Sequence, residues 1–272
     1  MWSLEGRAAV CLAASKGLGR GIAREMAAAG ARTLLVSRNE EHLHAAAGAI
    51  DEDLKREGTY PGVADWHRPQ TLAADLLEEG AAERIMRHAG EAFGGIDILL
   101  NNIGGPPSGT FDELSLDEWR AAYERLFATV VRQIRAALPW LRRSDAPRVV
   151  TVTSVSTRQP VDGLILSNTY RPGLVGLAKT LAQEWGSQGI LINNLAPGIF
   201  DTERVQELNA AVARRRNVPV SEVERERLAG IPLGRLGTPA ELGRAAVFLA
   251  SPANTYITGQ TLLVDGGLYR GL

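Results

Sequence analysis

Residues 13–19 of the chain read AASKGLG, and they lie between an apolar run at residues 7–13 and a helical pattern at residues 18–29. The apolar run has the length and composition of a buried strand, so the stretch predicts a tight strand-to-helix turn. Glycines at such a turn let the backbone approach a pyrophosphate, and the helix amino terminus favours negative charge. A glycine-rich turn alone is a weak signal, but its place between a strand and a helix makes it a strong one. The stretch therefore predicts a dinucleotide-binding α/β domain.

The rest of the chain repeats this alternation of short apolar runs and longer helical patterns. Strands are predicted over residues 7–13, 31–37, 71–74, 96–101, 148–154, 190–196 and 260–264. Helices are predicted over residues 18–29, 39–57, 79–93, 116–142, 163–186 and 239–249. Buried strands that alternate with helices are typical of a parallel sheet covered on both faces. We therefore predict one Rossmann-like, doubly wound α/β domain over residues 1–272, with a mostly parallel sheet of seven strands. Residues 58–70 form an unusually long connection to which the sequence assigns no role.

The composition is that of an ordinary globular protein, with 45% hydrophobic residues, 22% charged residues and a formal net charge of -1. This charge gives no reason to expect binding to nucleic acid or to an anionic membrane. Cys11 is the only cysteine, which excludes an intramolecular disulfide and agrees with a reducing cytosol. No run of 18 apolar residues occurs, and residues 1–7 are too polar for a signal peptide, so we expect a cytoplasmic protein without a membrane span. The histidines do not form a ligand set, so no metal site is predicted. They are His42, His44, His67 and His88.

Four motifs occur in one order and spacing along essentially the whole chain. They are the loop at 14–19, Asn-Asn-Ile-Gly at 101–104, Pro-Gly at 197–198 and Asp-Gly-Gly at 265–267. With these motifs the chain resembles the short-chain dehydrogenase/reductase family, and in particular its 3-oxoacyl-carrier-protein reductases. The resemblance implies a small-molecule substrate and a homodimer or homotetramer. One departure is that the loop usually begins with Thr-Gly, whereas this chain has Leu12 and Ala13, so we expect an adjusted loop rather than a lost site.

The end of the second predicted strand indicates which dinucleotide binds. An acidic residue there would accept the ribose hydroxyls of NAD and repel a 2′-phosphate. This chain has Ser37, Arg38 and Asn39 with no carboxylate before Glu40, and the resemblance puts Lys16 beside the same pocket. Two cations and a hydroxyl suit a phosphate, so we predict NADP rather than NAD. The alternative is that both cations are ordinary surface residues.

The resemblance assigns cofactor contacts to residues from several loops. They are Ser15, Lys16, Gly17, Leu18, Gly19, Ser37, Arg38, Asp75, Leu76, Asn101, Ile103, Gly104, Arg171, Pro197, Gly198, Ile199 and Thr202. Each match taken alone has an ordinary explanation, such as an aspartate that ends a strand or a plain Pro-Gly break. Together and in order, the matches favour the cofactor site.

The catalytic positions are where the chain departs from the family. An Asn, a Ser, a Tyr and a Lys cooperate there, and Ser154 matches the Ser. Counted back from residues 176–182, the Tyr and Lys positions fall on Ser167 and Arg171. The Asn position falls on or beside Leu126, with no asparagine nearby. The resemblance therefore predicts a catalytic set of Ser154, Ser167 and Arg171 that lacks the usual acid.

The chemistry of these residues is unequal. Arg171 preserves a positive charge and ribose hydrogen bonds, but a guanidinium does not act as an acid in proteins. Ser167 is a poor acid, because an aliphatic hydroxyl has a pKa well above the value of about 10 of a tyrosine. Tyr170, three residues after Ser167, is the candidate replacement, with a packing role as the alternative. Residues 158–160 are expected at the mouth of the site, with an ordinary surface loop as the alternative.

The predicted function is an NADP(H)-dependent oxidoreductase that acts on a small carbonyl or conjugated enone substrate with an atypical proton donor. Reduction of an activated C=C bond fits best, because its negative charge spreads into an enolate that hydroxyls and a cation stabilise. The alternative is an NADP-binding non-redox enzyme, a lyase or isomerase, or a cofactor-binding partner protein. By family position, residues 201–236 are predicted to form a substrate lid of one or two amphipathic helices, and a solvated helical excursion is the alternative.

Overall fold

Seven parallel strands form one sheet at the centre of the molecule, in the order β3-β2-β1-β4-β5-β6-β7. The computed structural model describes residues 2–272. The strands are β1 (Ala8–Leu12), β2 (Arg32–Ser37), β3 (Gln70–Ala73), β4 (Ile98–Asn101), β5 (Arg148–Val152), β6 (Leu191–Pro197) and β7 (Thr261–Val264). All six neighbouring pairs are parallel. The predicted Rossmann-like, doubly wound α/β fold is confirmed.

Nine α-helices are found in residues 2–272, and they cover both faces of the sheet. They are α1 (Gly17–Ala28), α2 (Glu40–Glu57), α3 (Ala81–Phe93), α4 (Leu116–Tyr123), α5 (Thr129–Leu141), α6 (Ile165–Trp185), α7 (Glu203–Arg216), α8 (Val220–Ala229) and α9 (Pro239–Ala250). One core joins α1, α2 and α9 to the sheet, and a second core joins α3, α5 and α6 to the opposite face. Strand β1 shows the division, since Ala9 and Cys11 belong to the first core and Val10 and Leu12 to the second. Side chains alternate between faces along a strand, so a fully apolar run serves both cores.

The strand order reverses direction at β1, which has β2 on one side and β4 on the other. The loops that follow β1 and β4 run to opposite faces of the sheet. The gap between these two loops is where open α/β sheets bind ligands. Glycines bring α1 unusually close to α9 beside this gap. A Cβ on Gly21 would clash with Pro239, and one on Gly243 would come within 2.5 Å of the Glu25 side chain. The close contact of these helices fixes the position of the loop that precedes α1.

Residues 58–70, which the sequence left without a role, form a strap over the outer side of α1 and α2. The Tyr60 amide donates to Ala28 O at 2.9 Å, and its hydroxyl donates to the buried Glu25 carboxylate at 2.7 Å. Trp66 donates from its ring nitrogen to Asp51 at 3.1 Å. Burial, followed by the Glu25 contact, raises the pKa of Tyr60. The strap therefore closes the first core at a distance from the strand ends where ligands bind.

The helix predicted over residues 116–142 is interrupted. A five-residue π turn, Glu124–Ala128, separates α4 from α5. At its end, the amide and the hydroxyl of Thr129 both donate to Glu124 O, the hydroxyl at 2.7 Å. Within residues 2–272 no helix combines the length and apolarity needed to cross a bilayer, and no group of three or more metal-ligating side chains occurs.

Candidate active site

A cavity of about 710 Å³ opens at the carboxyl ends of the strands, within the usual size range of a ligand site. It is bounded by the loops after β1 to β6 and by the first turns of α7. Most of the predicted site residues line it. These are Ser15, Lys16, Gly17, Leu18, Gly19, Ser37, Arg38, Asp75, Leu76, Ile103, Gly104, Ser154, Ser167, Arg171, Pro197, Gly198 and Thr202. Asn101, Ile199 and Tyr170 are not among the residues around this cavity.

The loop between β1 and α1 keeps a glycine-like conformation although a glycine is missing. Ala13 has a φ of +48°, in the left-handed region that costs a non-glycine residue about 1–2 kcal/mol. Gly17 also has a positive φ, of +54°. Ala13 thus adopts a backbone conformation that favours glycine and bears the strain.

Gly19 is required by close packing. A Cβ at this position would clash with Ala13 O and lie 2.6 Å from Nδ2 of Asn102, which itself donates to Ala13 O at 3.2 Å. Asn102 thus ties the loop after β4 to the loop after β1. Asn101, the residue that the resemblance assigned to the cofactor, is buried at the end of β4, and its side chain has no hydrogen-bond partner among the described residues. Since neighbouring residues of an extended chain point to opposite sides, Asn102 lies along the cavity and Asn101 does not.

The amino terminus of α1 is arranged to receive an anion. Lys16 occupies the N-cap position without a side-chain cap, and no acidic residue stands in the first turn. The terminal amides of such a helix have no partner within it and attract negative charge. Nearby, the Ser37 hydroxyl is buried on the cavity with no hydrogen-bond partner in the described part of the chain. A dinucleotide phosphate and ribose would satisfy these donors, so the residues present fit such a cofactor.

The rim around this end of the cavity carries several charges. Arg38 is exposed and makes no ion pair or hydrogen bond within residues 2–272. Lys16 Nζ lies 2.8 Å from Oε2 of Glu203, in the first turn of α7. His42 also lines the cavity, and its amide donates to the Asn39 side chain that caps α2. Sequence reasoning missed Glu203 and His42, because neither belongs to a motif.

Ser154, Ser156, Ser167 and Arg171 form a hydrogen-bonded row along the wall made by β5 and α6, in which the first link uses a backbone amide. The Ser156 amide donates to Oγ of Ser154 at 3.1 Å, and the hydroxyls of Ser156 and Ser167 lie 3.4 Å apart. Arg171 Nε donates to Oγ of Ser167 at 3.0 Å. Ser154 accepts in this row and donates to no described residue, so its hydroxyl hydrogen remains for a ligand. The structure thus brings three predicted residues together and adds Ser156, which no sequence pattern marked.

Arg171 is a buried cation that forms no ion pair with a carboxylate of residues 2–272. Its side chain is held by Nη1, which donates to Val152 O at 3.1 Å and to Thr153 O at 2.9 Å. The residue is only 7% exposed and forms no ion pair in residues 2–272. Burial lowers the pKa of Arg171 to about 10, so the guanidinium stays charged at neutral pH. Its Nη2 makes no hydrogen bond to a described residue, which leaves donors at the cavity for an anion or a developing oxyanion.

The Tyr170 side chain packs against aromatic residues of α4 and does not line the cavity. Its hydroxyl donates to Trp119 O at 3.1 Å. Its ring centroid lies 5.9 Å from that of Trp119 and 6.0 Å from that of Tyr123. Trp119 and Tyr123 are four residues apart on one helix face, and together they hold the ring of Tyr170. The structure therefore gives Tyr170 a packing position, and it does not bring Tyr170 together with Ser167 and Ser154.

The segment 201–236 contains two helices, α7 and α8, as the sequence predicted. Thr202 caps α7 by accepting from the Val205 amide at 3.4 Å. The first turn of α7 is joined to both sides of the cavity, because Glu203 contacts Lys16 and Arg204 Nη2 donates to Pro106 O at 2.8 Å. Residues 204, 205 and 208 line the cavity from this side. The helix thus extends across the opening between the loop after β1 and the loop after β4.

Comparison with known proteins agrees with this geometry. Residues 12–269 match the model of the family described as Enoyl-(Acyl carrier protein) reductase. The chain belongs to the short-chain dehydrogenase/reductase family. It is 31% identical over 267 residues to the 3-oxoacyl-[acyl-carrier-protein] reductase FabG of Vibrio harveyi, covering 98% of this chain and 99% of that protein. The predicted family is confirmed, and the chain is an oxidoreductase of that family.

Two solved reductase structures of the same fold extend the comparison. The L-sorbose reductase of Gluconobacter frateurii, in a complex with NADPH and L-sorbose, has a TM-score of 0.88 and 28% identity, covering 100% of this chain and 99% of that one. YwfH, an NADPH-dependent reductase involved in bacilysin biosynthesis, has a TM-score of 0.87 at 24% identity, covering 98% of this chain and 99% of that one. At that identity the second likeness supports the fold alone.

Proposed function

We propose that this protein is an NADPH-dependent reductase of small conjugated enones. The single observation that carries the proposal is Arg171, a buried, charged guanidinium that faces the cavity, donates to Ser167 and has no carboxylate partner within residues 2–272. At neutral pH such a group keeps its proton and stabilises negative charge on a substrate oxygen. Its chemistry therefore suits a reaction in which an enolate forms.

Three features support NADP as the cofactor. The open amino terminus of α1 suits the pyrophosphate, and the orphaned Ser37 hydroxyl suits a ribose or a phosphate. Arg38 stands beside them with no carboxylate in reach, and a guanidinium pairs bidentately with a phosphate. The related L-sorbose reductase binds NADPH. Lys16 would join Arg38 at the 2′-phosphate after release from Glu203.

The chain's own residues would act on the substrate oxygen. When bound, NADPH would supply a hydride to the β carbon of the enone. Charge then develops on the carbonyl oxygen, where the hydroxyls of Ser154 and Ser167 and the Arg171 guanidinium donate hydrogen bonds. The Nε donation from Arg171 to Ser167 polarises that hydroxyl and makes it a stronger donor. A proton from water completes the saturated ketone at the α carbon, so no side chain needs to act as the acid.

The α7 segment would serve as the lid of this site. Its first turn bridges the cavity through Lys16–Glu203 and Arg204–Pro106 contacts, and active-site cover commonly comes from such a segment. An assembly of two or four chains and a cytoplasmic location stay predictions from the sequence.

Direct carbonyl reduction is a second candidate, favoured by the names of the relatives, which include 3-oxoacyl-carrier-protein reductases and a sorbose reductase. It would need a proton for the alkoxide, and Tyr170 is occupied with Trp119 O. A bound water would then be the donor.

Consumption of NADPH with a matched pair of substrates tests the proposal. With cyclohex-2-enone we expect turnover, and with cyclohexanone we expect little or none, because only the enone yields an enolate. Tyr170→Phe should retain the enone activity of the wild type. Turnover of cyclohexanone that depends on Tyr170 would support carbonyl reduction, and tight NADPH binding without oxidation on either compound would favour a non-redox role.

A further inference from the structure

The π turn between α4 and α5 contains an arginine that lines the cavity. Such turns are frequent at functional sites. Within the turn, Leu126 is fully buried, whereas its neighbour Arg125 is partly buried and lines the cavity. The turn packs on α6, since a Cβ on Gly173 would lie 3.0 Å from the Phe127 ring. Arg125 therefore lies on the same side of the cavity as the helix that carries Ser167 and Arg171.

The side chain of Arg125 has no ion pair or hydrogen bond within residues 2–272. Arg120, on the preceding helix α4, pairs with Asp117 at 2.7 Å. Glu124, which precedes Arg125 in the chain, forms an ion pair with Arg132 at 3.0 Å. An arginine that lines a cavity without a carboxylate is available to a ligand.

The charges at this end of the cavity are unbalanced. Arg204 has a carboxylate nearby, Glu207 at 3.5 Å, but Arg125 and Arg171 have none. Arg171 is more than nine-tenths buried, and a buried charge without a counterion is costly. One of these two cations is used for the oxygen of the reacting carbonyl in the proposed function. The other is left for a second negative group on the same substrate.

We propose that Arg125 binds a carboxylate of the substrate, so that the natural substrate is an unsaturated oxo acid and not a neutral enone. This inference rests on the proposed function and names its substrate class. A guanidinium matches a planar carboxylate bidentately. Arg125 is then a specificity-determining residue, and Arg171 remains the residue that faces the reacting oxygen.

The test compares 4-oxo-2-pentenoate with its methyl ester, which has the same enone but no charge. For the wild type with NADPH, we expect kcat/KM to be about 10- to 100-fold higher for the acid, the usual range for a lost hydrogen bond to a charged group. Arg125→Met should remove most of this preference by raising KM for the acid, and it should leave the ester unaffected. Arg125→Lys should restore part of the preference. Arg120→Met, which removes an exposed cation outside the cavity, is the matched control.

Equal use of acid and ester by the wild type would overturn the inference while leaving the proposed function intact. An equal loss for both compounds in Arg125→Met would overturn it too. If neither compound is reduced, calorimetric titration of 4-oxopentanoate into the NADP⁺-loaded protein decides. Binding at least about tenfold weaker in Arg125→Met than in wild type would uphold the carboxylate site although the proposed reaction fails, and equal binding would overturn the site.

Discussion

Two regions of the cavity differ in how many residues of the family pattern they retain. One is formed by the loops at the cofactor end, and the other is the wall made by β5 and α6. At the cofactor end a glycine is missing, yet Ala13 takes the left-handed conformation that favours glycine. On the wall, Ser167 and Arg171 stand where the resemblance expects a tyrosine and a lysine, and they form a hydrogen-bonded row with Ser156. In the first region, a residue other than glycine thus takes a conformation that favours glycine. The second region presents the charge of Arg171, and Tyr170 lies outside the cavity.

The largest expected effect concerns the wall. Arg171→Met, which keeps length and removes the charge, should lower kcat/KM for an enone about 10²- to 10³-fold, the usual loss for one oxyanion donor. NADPH oxidation in steady-state assays measures it. Arg171→Lys is the matched control, because it keeps the charge and should lose less. Equal activity in wild type and Arg171→Met would remove Arg171 from the mechanism and with it the contrast between the two regions.

The same residue predicts a pH dependence. Burial lowers the pKa of Arg171 to about 10, so the folded protein loses this charge at a lower pH than an exposed arginine would. Stabilisation of the oxyanion is therefore complete well below this pKa and is lost as the pH rises through about 10. A pH profile of kcat/KM should fall in that range in the wild type, and Arg171→Met should lack the fall. A wild-type profile that stays flat through this range would contradict the assignment.

Next in size is a change at the cofactor end. Arg38→Glu should weaken NADPH binding about 10- to 100-fold, because it removes a charge-assisted contact and adds repulsion to the 2′-phosphate. NADH binding should change much less. Fluorescence titration with both cofactors measures the ratio. An equal loss of affinity for NADPH and NADH would show that Arg38 does not bind the 2′-phosphate.

A smaller effect tests the contact between α7 and the phosphate loop. Glu203→Ala frees Lys16 from its ion pair and should tighten NADPH binding about two- to fivefold, the scale of an exposed ion pair. Glu203→Gln should behave similarly, since it also removes the charge. Weaker NADPH binding in both variants would mean that Glu203 supports the site.

The smallest effect is on stability alone. Ala13→Gly should raise the free energy of unfolding by about 0.5–1 kcal/mol, because relief of the left-handed strain exceeds the added flexibility of the unfolded chain. Thermal unfolding measures this change, and NADPH affinity should stay the same. A lower melting temperature would mean that Ala13 is not strained.

The contrast between the two regions also explains how much of the fold and of the site could be predicted from the sequence. Strand and helix periodicity was enough for the fold, and motif spacing placed Ser154, Ser167 and Arg171 on one wall because Ser167 and Arg171 are one helical turn apart. Arg125 could not be predicted as a cavity residue, since the sequence reads as a continuous helix and does not show the π turn in which Arg125 lies. The left-handed φ of Ala13 could not be predicted, because sequence alone does not show that the surrounding packing can impose a strained φ.

Tyr170 and Asn101 mark the limits of counting along the chain. Tyr170 lies near the face of Ser167 by helical spacing, but the aromatic contact with Trp119 and Tyr123 takes its side chain to α4. Asn101 and Asn102 are adjacent in the chain. Because side chains of an extended chain alternate in direction, only Asn102 lies at the cavity. Such choices depend on packing between elements that lie far apart in the sequence.

The most direct measurement of the central claim locates the transferred hydrogen. NADPH deuterated at the transferable position of nicotinamide C4 is oxidised by the wild-type protein with cyclohex-2-enone, and the product is analysed by nuclear magnetic resonance. The account predicts deuterium on the β carbon of a saturated ketone, with the carbonyl intact. Deuterium on the former carbonyl carbon, in an allylic alcohol, would contradict it.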